Sequence, residues 1–426
     1  MSRVSRFTPH WLLEGLVLLL AAPFLLFPTL STAATALALV LVALSWLVAW
    51  RLTGRPWPLT PLNGAMLVWG VMLGVGMVVS ADPDLTLPKA TGLILGLATW
   101  RYLAVWGRSG RGVRLAVAGF ALLGVGMALV GLLSADWRLK APFLETLIGQ
   151  LPPPVLVLRE APAAGIQPNQ LAGTVVVYAP LLAAGLLRRR RLERLVLALA
   201  LLLTLGLLLL TQSRSAWLGT AAGLLALLAL WGTVIPPSCT RRVIGLGLAV
   251  AAGLAALALW LVGWEGLQAF WVEPPSATFI GALTTLNFRQ EVWRWAITAI
   301  GDFPLTGCGL GAFRAVLPRL YPTTIGLGYD VAHAHNVFLQ VALDVGLPGL
   351  VGYVAILVTA GVIGWQVARR DVEWRPLALG LLAGLVALHT FGLTDALAPG
   401  SKTGLVFWAA LGLLTALAEL SMNNEQ

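Results

Sequence analysis

The sequence predicts an all-α membrane protein of about 12 transmembrane helices, with a large extracytoplasmic loop that carries short helices. Three observations lead there. Hydrophobic residues make up 58% of the 426 and charged residues only 11%. Apolar runs of bilayer-spanning length recur along the chain, and basic residues cluster in alternate connections between them. A soluble chain of this composition would lack the polar surface to stay dispersed, so lipid is the expected solvent. The net charge of +10 is not a nucleic-acid signal, because the basic residues sit in short clusters between apolar runs, where they set topology.

A hydrocarbon core about 30 Å thick needs roughly 20 apolar residues per helix. Runs that meet this need lie near 11–29, 33–50, 62–79, 87–106, 113–133, 167–187, 195–211, 215–234, 243–263, 335–364, 376–397 and 402–420. The stretch from Trp11 to Phe27 follows the basic Met1–Arg6 segment without a clear small-residue cleavage site, which predicts an uncleaved first span. Lys89 and Arg101 lie near the ends of the fourth run, where long side chains can reach the interface. Arginines at 51 and 55, 108 to 114, 188 to 194, 241 and 242, and 369 to 375 fall on one side of this topology, and acids such as Asp82, Asp136 and Glu273 on the other. The basic side is then cytoplasmic, with both termini there. Cys239 and Cys308 fall on opposite sides, so no disulfide is expected between them.

Two outer connections are long, about 134–166 and 264–334, and loops of that length tend to be functional or disordered. In the second, Arg289, Trp293, Ala296 and Ile300 recur at helical spacing, which predicts a helix over 287–300, suited to the membrane surface by its tryptophans. These boundaries divide the chain into 1–166, the first five spans and first outer loop, and 167–426, a membrane core with the large loop 264–334.

Ionisable groups gather at the outer helix ends. Arg214 sits in the tight connection before the eighth span, where an arginine is costly without a partner. Arg289 and Arg294 flank Glu291 in the large loop, and His333, His335 and Asn336 stand at the start of the tenth span. Leu339, Ala342, Gly346 and Gly349 follow His335 on one helix face, where small residues admit a neighbouring helix. No cysteine or carboxylate cluster accompanies the histidines at ligand spacing, so no metal and no other cofactor is expected.

The run His335-Asn336, nine residues, then Gly346-Leu347-Pro348-Gly349 resembles the histidine-asparagine and glycine pattern of the O-antigen ligase superfamily. Arg289 with Trp293, then Pro304, Gly307, Gly309, Gly311 and Phe313, resembles the segment that precedes it there. Ser213 to Leu218 is similar to the family's arginine motif, and Asn169-Gln170-Leu171-Ala172 to a further common element. The first five spans match only in hydropathy.

The resemblance implies a metal-independent, inverting transferase, outside the bacterial cytoplasmic membrane, that moves a glycan from undecaprenyl pyrophosphate to an acceptor hydroxyl. His335 would be the general base, Arg214, Arg289 and Arg294 would bind the donor's phosphates, and Asn336 would orient the sugar or the ring. Guanidinium forks and an imidazole suit those tasks chemically. The acceptor would be a lipid A core sugar as in the ligase, another glycan as in a polymerase, or a protein hydroxyl as in an O-oligosaccharyltransferase. Membrane lipid is a partner in every case, and nucleic acid in none. The alternative from another class is a transporter, since relatives carry a bicarbonate-transporter label; Glu14, His389 and Asp395 are the buried-segment polar residues that such a path would use.

Overall fold

The computed structural model describes residues 9–424 apart from 56, 108, 138–143, 152, 154–165, 188–190, 235–284, 324, 326–329 and 396–397. Among the described residues the chain is helical, and β structure is limited to one isolated bridge, Ala135 with Ile166, which closes the base of the first long loop.

Seven described helices are long and apolar enough to cross a membrane: Thr32–Thr53, Gly110–Ser134, Arg191–Leu210, Arg214–Val234, Val337–Arg370, Arg375–Gly392 and Lys402–Met422. Leu12–Leu26 and Asn63–Val78 are apolar but shorter. Two of the twelve expected runs take other forms. The fourth is part of Pro83–Trp106, a helix of 24 residues whose N-cap is Asp82. The sixth is divided into Pro168–Val175 and Tyr178–Gly185. Pro180 explains that division: it lacks an N–H, and its ring crowds the carbonyl four residues back, at Val176. The expected run at 243–263, Cys239 and much of the basic connections lie outside the described residues.

The bundle is built from long-range pairs. Arg214–Val234 packs on Arg375–Gly392, Val337–Arg370 on Asn63–Val78, and Leu405–Asn424 on Pro83–Trp106. Small residues allow the close approaches: a Cβ at Gly352 would lie 3.0 Å from the Trp69 backbone. Many leucines on Leu12–Leu26, Thr32–Thr53 and Arg191–Leu210 are exposed, as lipid-facing positions must be. The two basic connections assigned to one side do meet: Arg114 is 3.6 Å from Glu373 and lies over the Trp374 ring.

Arg101 departs from expectation. Rather than reaching toward an interface, it is 3% exposed and pairs with Glu14, which is 2% exposed. A charge so buried is tolerated because its counter-ion is supplied from the first helix. His389 is likewise satisfied, with Nδ1 against the Leu385 carbonyl at 2.8 Å and Nε2 against the Tyr353 hydroxyl at 2.9 Å. Two of the three residues that a transport path would use are thus engaged in ties within the bundle.

The Val337–Arg370 helix is broken at Gly346, whose backbone (φ 72°, ψ 175°) is not helical. Pro348 cannot donate to a carbonyl one turn back, so the chain must leave the helix there. The loop after Thr285–Asp302 fills the break. Cys308 N donates to the Leu343 carbonyl at 2.7 Å, and Leu347 N to the Pro304 carbonyl at 2.8 Å. Asp344 accepts from Gly311 N at 2.9 Å and from Gln340 Nε2 at 2.8 Å. The glycine pattern is therefore a lock between a loop and a broken helix, not a continuous helix face below a histidine. A side chain at Gly346 would both strain the backbone and strike the Leu305 carbonyl. Gly346→Ala should lower stability by about 2 kcal/mol or more, read from thermal unfolding in detergent. Gly361→Ala, with nothing within 4 Å of the added carbon, should be neutral or slightly stabilising.

Candidate functional site

The predicted helix in the large loop forms as Thr285–Asp302, and its buried face is Phe288, Val292, Ala296 and Ala299. That face packs with Cys308, Phe313, Val331, Ala334 and Leu343 into a small core of its own above the broken helix. The segment holding the histidines is clamped between this core and the bundle. Ala334 N donates to Gln340 Oε1 at 2.9 Å, and Phe288 meets the His335 ring edge-on, with ring centres 5.5 Å apart.

His335 does not open the helix. It precedes the N-cap with φ at 49°, a left-handed conformation that a non-glycine residue adopts only when its surroundings impose it. Asn336 is the cap: its Oδ1 accepts from Phe338 N and Leu339 N at 2.9 and 3.1 Å, and its Nδ2 donates to the Leu393 carbonyl at 3.0 Å. The asparagine thus binds the histidine segment to the loop after Arg375–Gly392, and its polar atoms are committed to backbone.

That loop brings in Asp395, which the sequence reading placed only with the alternative transport path. One carboxylate oxygen, Oδ1, faces both imidazoles, 3.6 Å from His335 Nδ1 and 3.8 Å from His333 Nε2, while the two rings lie 4.2 Å apart. These separations exceed hydrogen-bond length, so the contact is chiefly electrostatic. His333 Nδ1 accepts from the His335 amide at 3.3 Å, which leaves the proton of the neutral ring on Nε2, toward Asp395. Burial, then His335, Lys89 and Arg289, push His333 down to about 4 against the pull of Asp395. Burial by itself would raise Asp395, but the two imidazoles and Arg289 outweigh it and hold the carboxyl below its ordinary range.

His333, His335 and Asp395 line a hollow of about 430 Å³. Lys89, Arg314 and Lys402 line it too, with amides from Gln167, Asn169 and Gln170, so the Asn169-Gln170 motif reaches the site. The predicted arginines are placed differently from one another. Arg289 is close enough to act electrostatically on His333 and Asp395, yet it does not line the hollow. Arg214 begins its helix beside Ser215, whose hydroxyl accepts from Thr394 at 2.7 Å, one residue before Asp395. Arg294 is 59% exposed, 2.8 Å from Glu291 and stacked over Trp295. It belongs to the outer surface of its own helix, away from the histidines. Lys89, Arg314 and Lys402 went unnoticed as site residues because each reads as an ordinary interfacial or loop cation; only their convergence sets them apart.

His333, His335 and Asp395 also offer donor atoms within 4.8 Å of one another, close enough for a cation. Two features of the surroundings oppose one. Lys89 and Arg289 add positive charge beside the trio, and the His333 tautomer directs a proton, not a lone pair, at Asp395.

Apolar helices of membrane-crossing length define a multi-pass membrane protein, and its hollow is polar and lined with cations. Residues 199–354 match the family described as O-antigen ligase, a segment that holds Arg214, Arg289, Arg294, His335 and Asn336, so the resemblance to that superfamily stands. No curated protein matches the chain.

The neutral His333 has a consequence for acid stability. Its folded value lies below the ordinary 6.5, so between pH 6.5 and about 4 the unfolded chain takes up a proton that the folded site refuses. Stability should fall as pH drops through that window, by about 3 kcal/mol. His333→Gln should flatten the slope of unfolding temperature against pH between 7 and 4.5; an unchanged slope would show that the ring is not held neutral.

Proposed function

We propose that this protein transfers a glycan from undecaprenyl pyrophosphate to an acceptor hydroxyl at the outer face of the bacterial cytoplasmic membrane, as an O-antigen ligase does. The observation that carries this reading is the placement of His335, next to Asp395, in the wall of a hollow rich in cations.

A carboxylate facing Nδ1 favours the ring form with its proton there and leaves Nε2 to act as a base. Nε2 then takes the acceptor's proton as its oxygen attacks the anomeric carbon. The bond from that carbon to the diphosphate oxygen breaks, and the lipid diphosphate leaves with both electrons. One in-line displacement inverts the anomeric centre and needs no covalent enzyme intermediate. Cations around the hollow oppose the charge that develops on the leaving group. His333, held neutral, adds no competing charge beside His335. The scheme uses no metal, in keeping with the cationic surroundings of the trio.

In this reading the hollow faces the extracytoplasmic side and the Arg114–Glu373 face is cytoplasmic, with both termini there. The proposed division at residue 166 does not separate function, because Leu26, Pro88 and Lys89 of the first part line the hollow with residues of the second. Arg289 acts electrostatically on Asp395 and His333, and Arg294 takes no part.

The test is to incubate the purified full-length protein with undecaprenyl pyrophosphate-linked glycan and a panel of acceptors, lipid A core, glycan repeat and serine peptide, without added metal. Product on one acceptor class is expected and names the acceptor; no product on any would refute the reading. His335→Ala should lose at least about 10²-fold in turnover while folding normally, as removal of a general base does. Asp395→Asn should lose about tenfold or more, with its pH profile shifted. Arg294→Ala should stay within about threefold of the parent, since an exposed i,i+3 pair contributes little.

A further inference from the structure

The hollow holds two lysines that neither the motifs nor the family match reaches, since Lys89 and Lys402 both lie outside residues 199–354. Lys89 stands near the start of Pro83–Trp106, where the backbone of that helix touches Gly400 closely enough that a Cβ there would strike the Lys89 carbonyl. This contact sets the lysine beside the loop that carries Lys402. Its ammonium is 3.7 Å from Asp344, an ion pair without a hydrogen bond, and its side chain is 19% exposed against 6% for Asp344. Asp344 is occupied by Gly311 N and Gln340 Nε2 and does not line the hollow. The ion pair holds the lysine at the cavity wall without taking up any of its donors in a hydrogen bond to Asp344. Lys402 sits 3.7 Å over the Phe27 ring, at the end of the first helix.

The charge of the wall follows. Lys89, Arg314 and Lys402 face one carboxylate, Asp395, while Asp330, which pairs with Arg314, stays outside the lining. The same wall includes Leu26 and Pro88, apolar residues at the ends of the first helix and the Pro83–Trp106 helix. A ligand that suits it carries several negative charges on a compact head and an apolar tail that can leave past that rim toward lipid.

Resting on the transferase reading above, we propose that Lys89 and Lys402 bind the diphosphate of the lipid-borne donor, with its chain leaving over Leu26 and Pro88. Ammonium groups suit this end of the site because, unlike a fixed guanidinium fork, each can follow the diphosphate as it changes from ester to leaving group.

The experiment measures binding of undecaprenyl diphosphate to the full-length protein in nanodiscs, with inorganic pyrophosphate and undecaprenol as comparison ligands. Two variants are used: Lys402→Gln, at an exposed position, and the double change Lys89→Gln with Asp344→Asn, which leaves no buried carboxylate unpaired. Each should weaken lipid diphosphate binding by about tenfold or more, as loss of a charge-assisted contact does. Inorganic pyrophosphate should compete in the parent protein and lose that ability in both variants. Undecaprenol should bind all forms alike. His335→Ala should bind the lipid diphosphate as the parent does while failing to transfer, so a failed transfer assay with intact lysine-dependent binding would sink the reaction and spare the subsite. Parent-like binding by properly folded lysine variants would overturn the proposal, as would an equal loss for undecaprenol.

Discussion

The break at Gly346 is the constraint on which the site depends. A helix that ends one turn early leaves carbonyls unpaired, and unpaired backbone is intolerable at membrane depth unless protein supplies partners. Here the partners come from the glycine-rich 303–312 loop, through Cys308 N to Leu343 and the Pro304 carbonyl to Leu347 N. Once that loop is seated, Gly311 N fixes Asp344, Gln340 bridges Asp344 to Ala334 N, and the histidine segment is held above. Hydrogen bonding that repairs a broken helix also builds the wall of the hollow. The glycines at 307, 309 and 311, all at positive φ, serve the close approach of loop to helix and not catalysis.

Around this lock the electrostatics separate into two parts. One part pairs charges out of the way: Glu14 with Arg101 inside the bundle, and Arg294 with Glu291 on the surface. The other leaves an imbalance in the wall of the hollow, where Lys89, Arg314, Lys402 and two imidazoles line the cavity with one carboxylate, Asp395. His333 shows what that imbalance does, because its proton is lost to burial and to its cationic neighbours well below ordinary pH. Positive charge from Lys89 and Arg289 lies beside the same histidines and aspartate that come near enough to one another to hold a cation.

Asparagine and arginine positions show how a motif can be right in place and different in task. Asn336 follows His335 as the resemblance requires, and the structure uses it to cap a helix and to hold the Asp395 loop. Arg214 is similarly placed, one residue from a hydroxyl contact to the Asp395 loop, and not at the cavity wall.

The sequence by itself determined the solvent, the helical class and the helix over 287–300. Each of these is written locally, in composition, period or a short run of residues. Tertiary structure alone decided that Arg101 is buried against Glu14, that the run at 167–187 is divided, and that the glycine pattern is a joint between distant segments. It also decided which cations share a cavity. Lys89, His335, Asp395 and Lys402 are separated by as much as the length of most of the chain, and no periodicity connects them. Their meeting is fixed by the packing of Leu405–Asn424 on Pro83–Trp106 and by the lock at Gly346. Side chains that belong to different helices acquire a common chemistry only through such contacts, and a one-dimensional pattern records none of them.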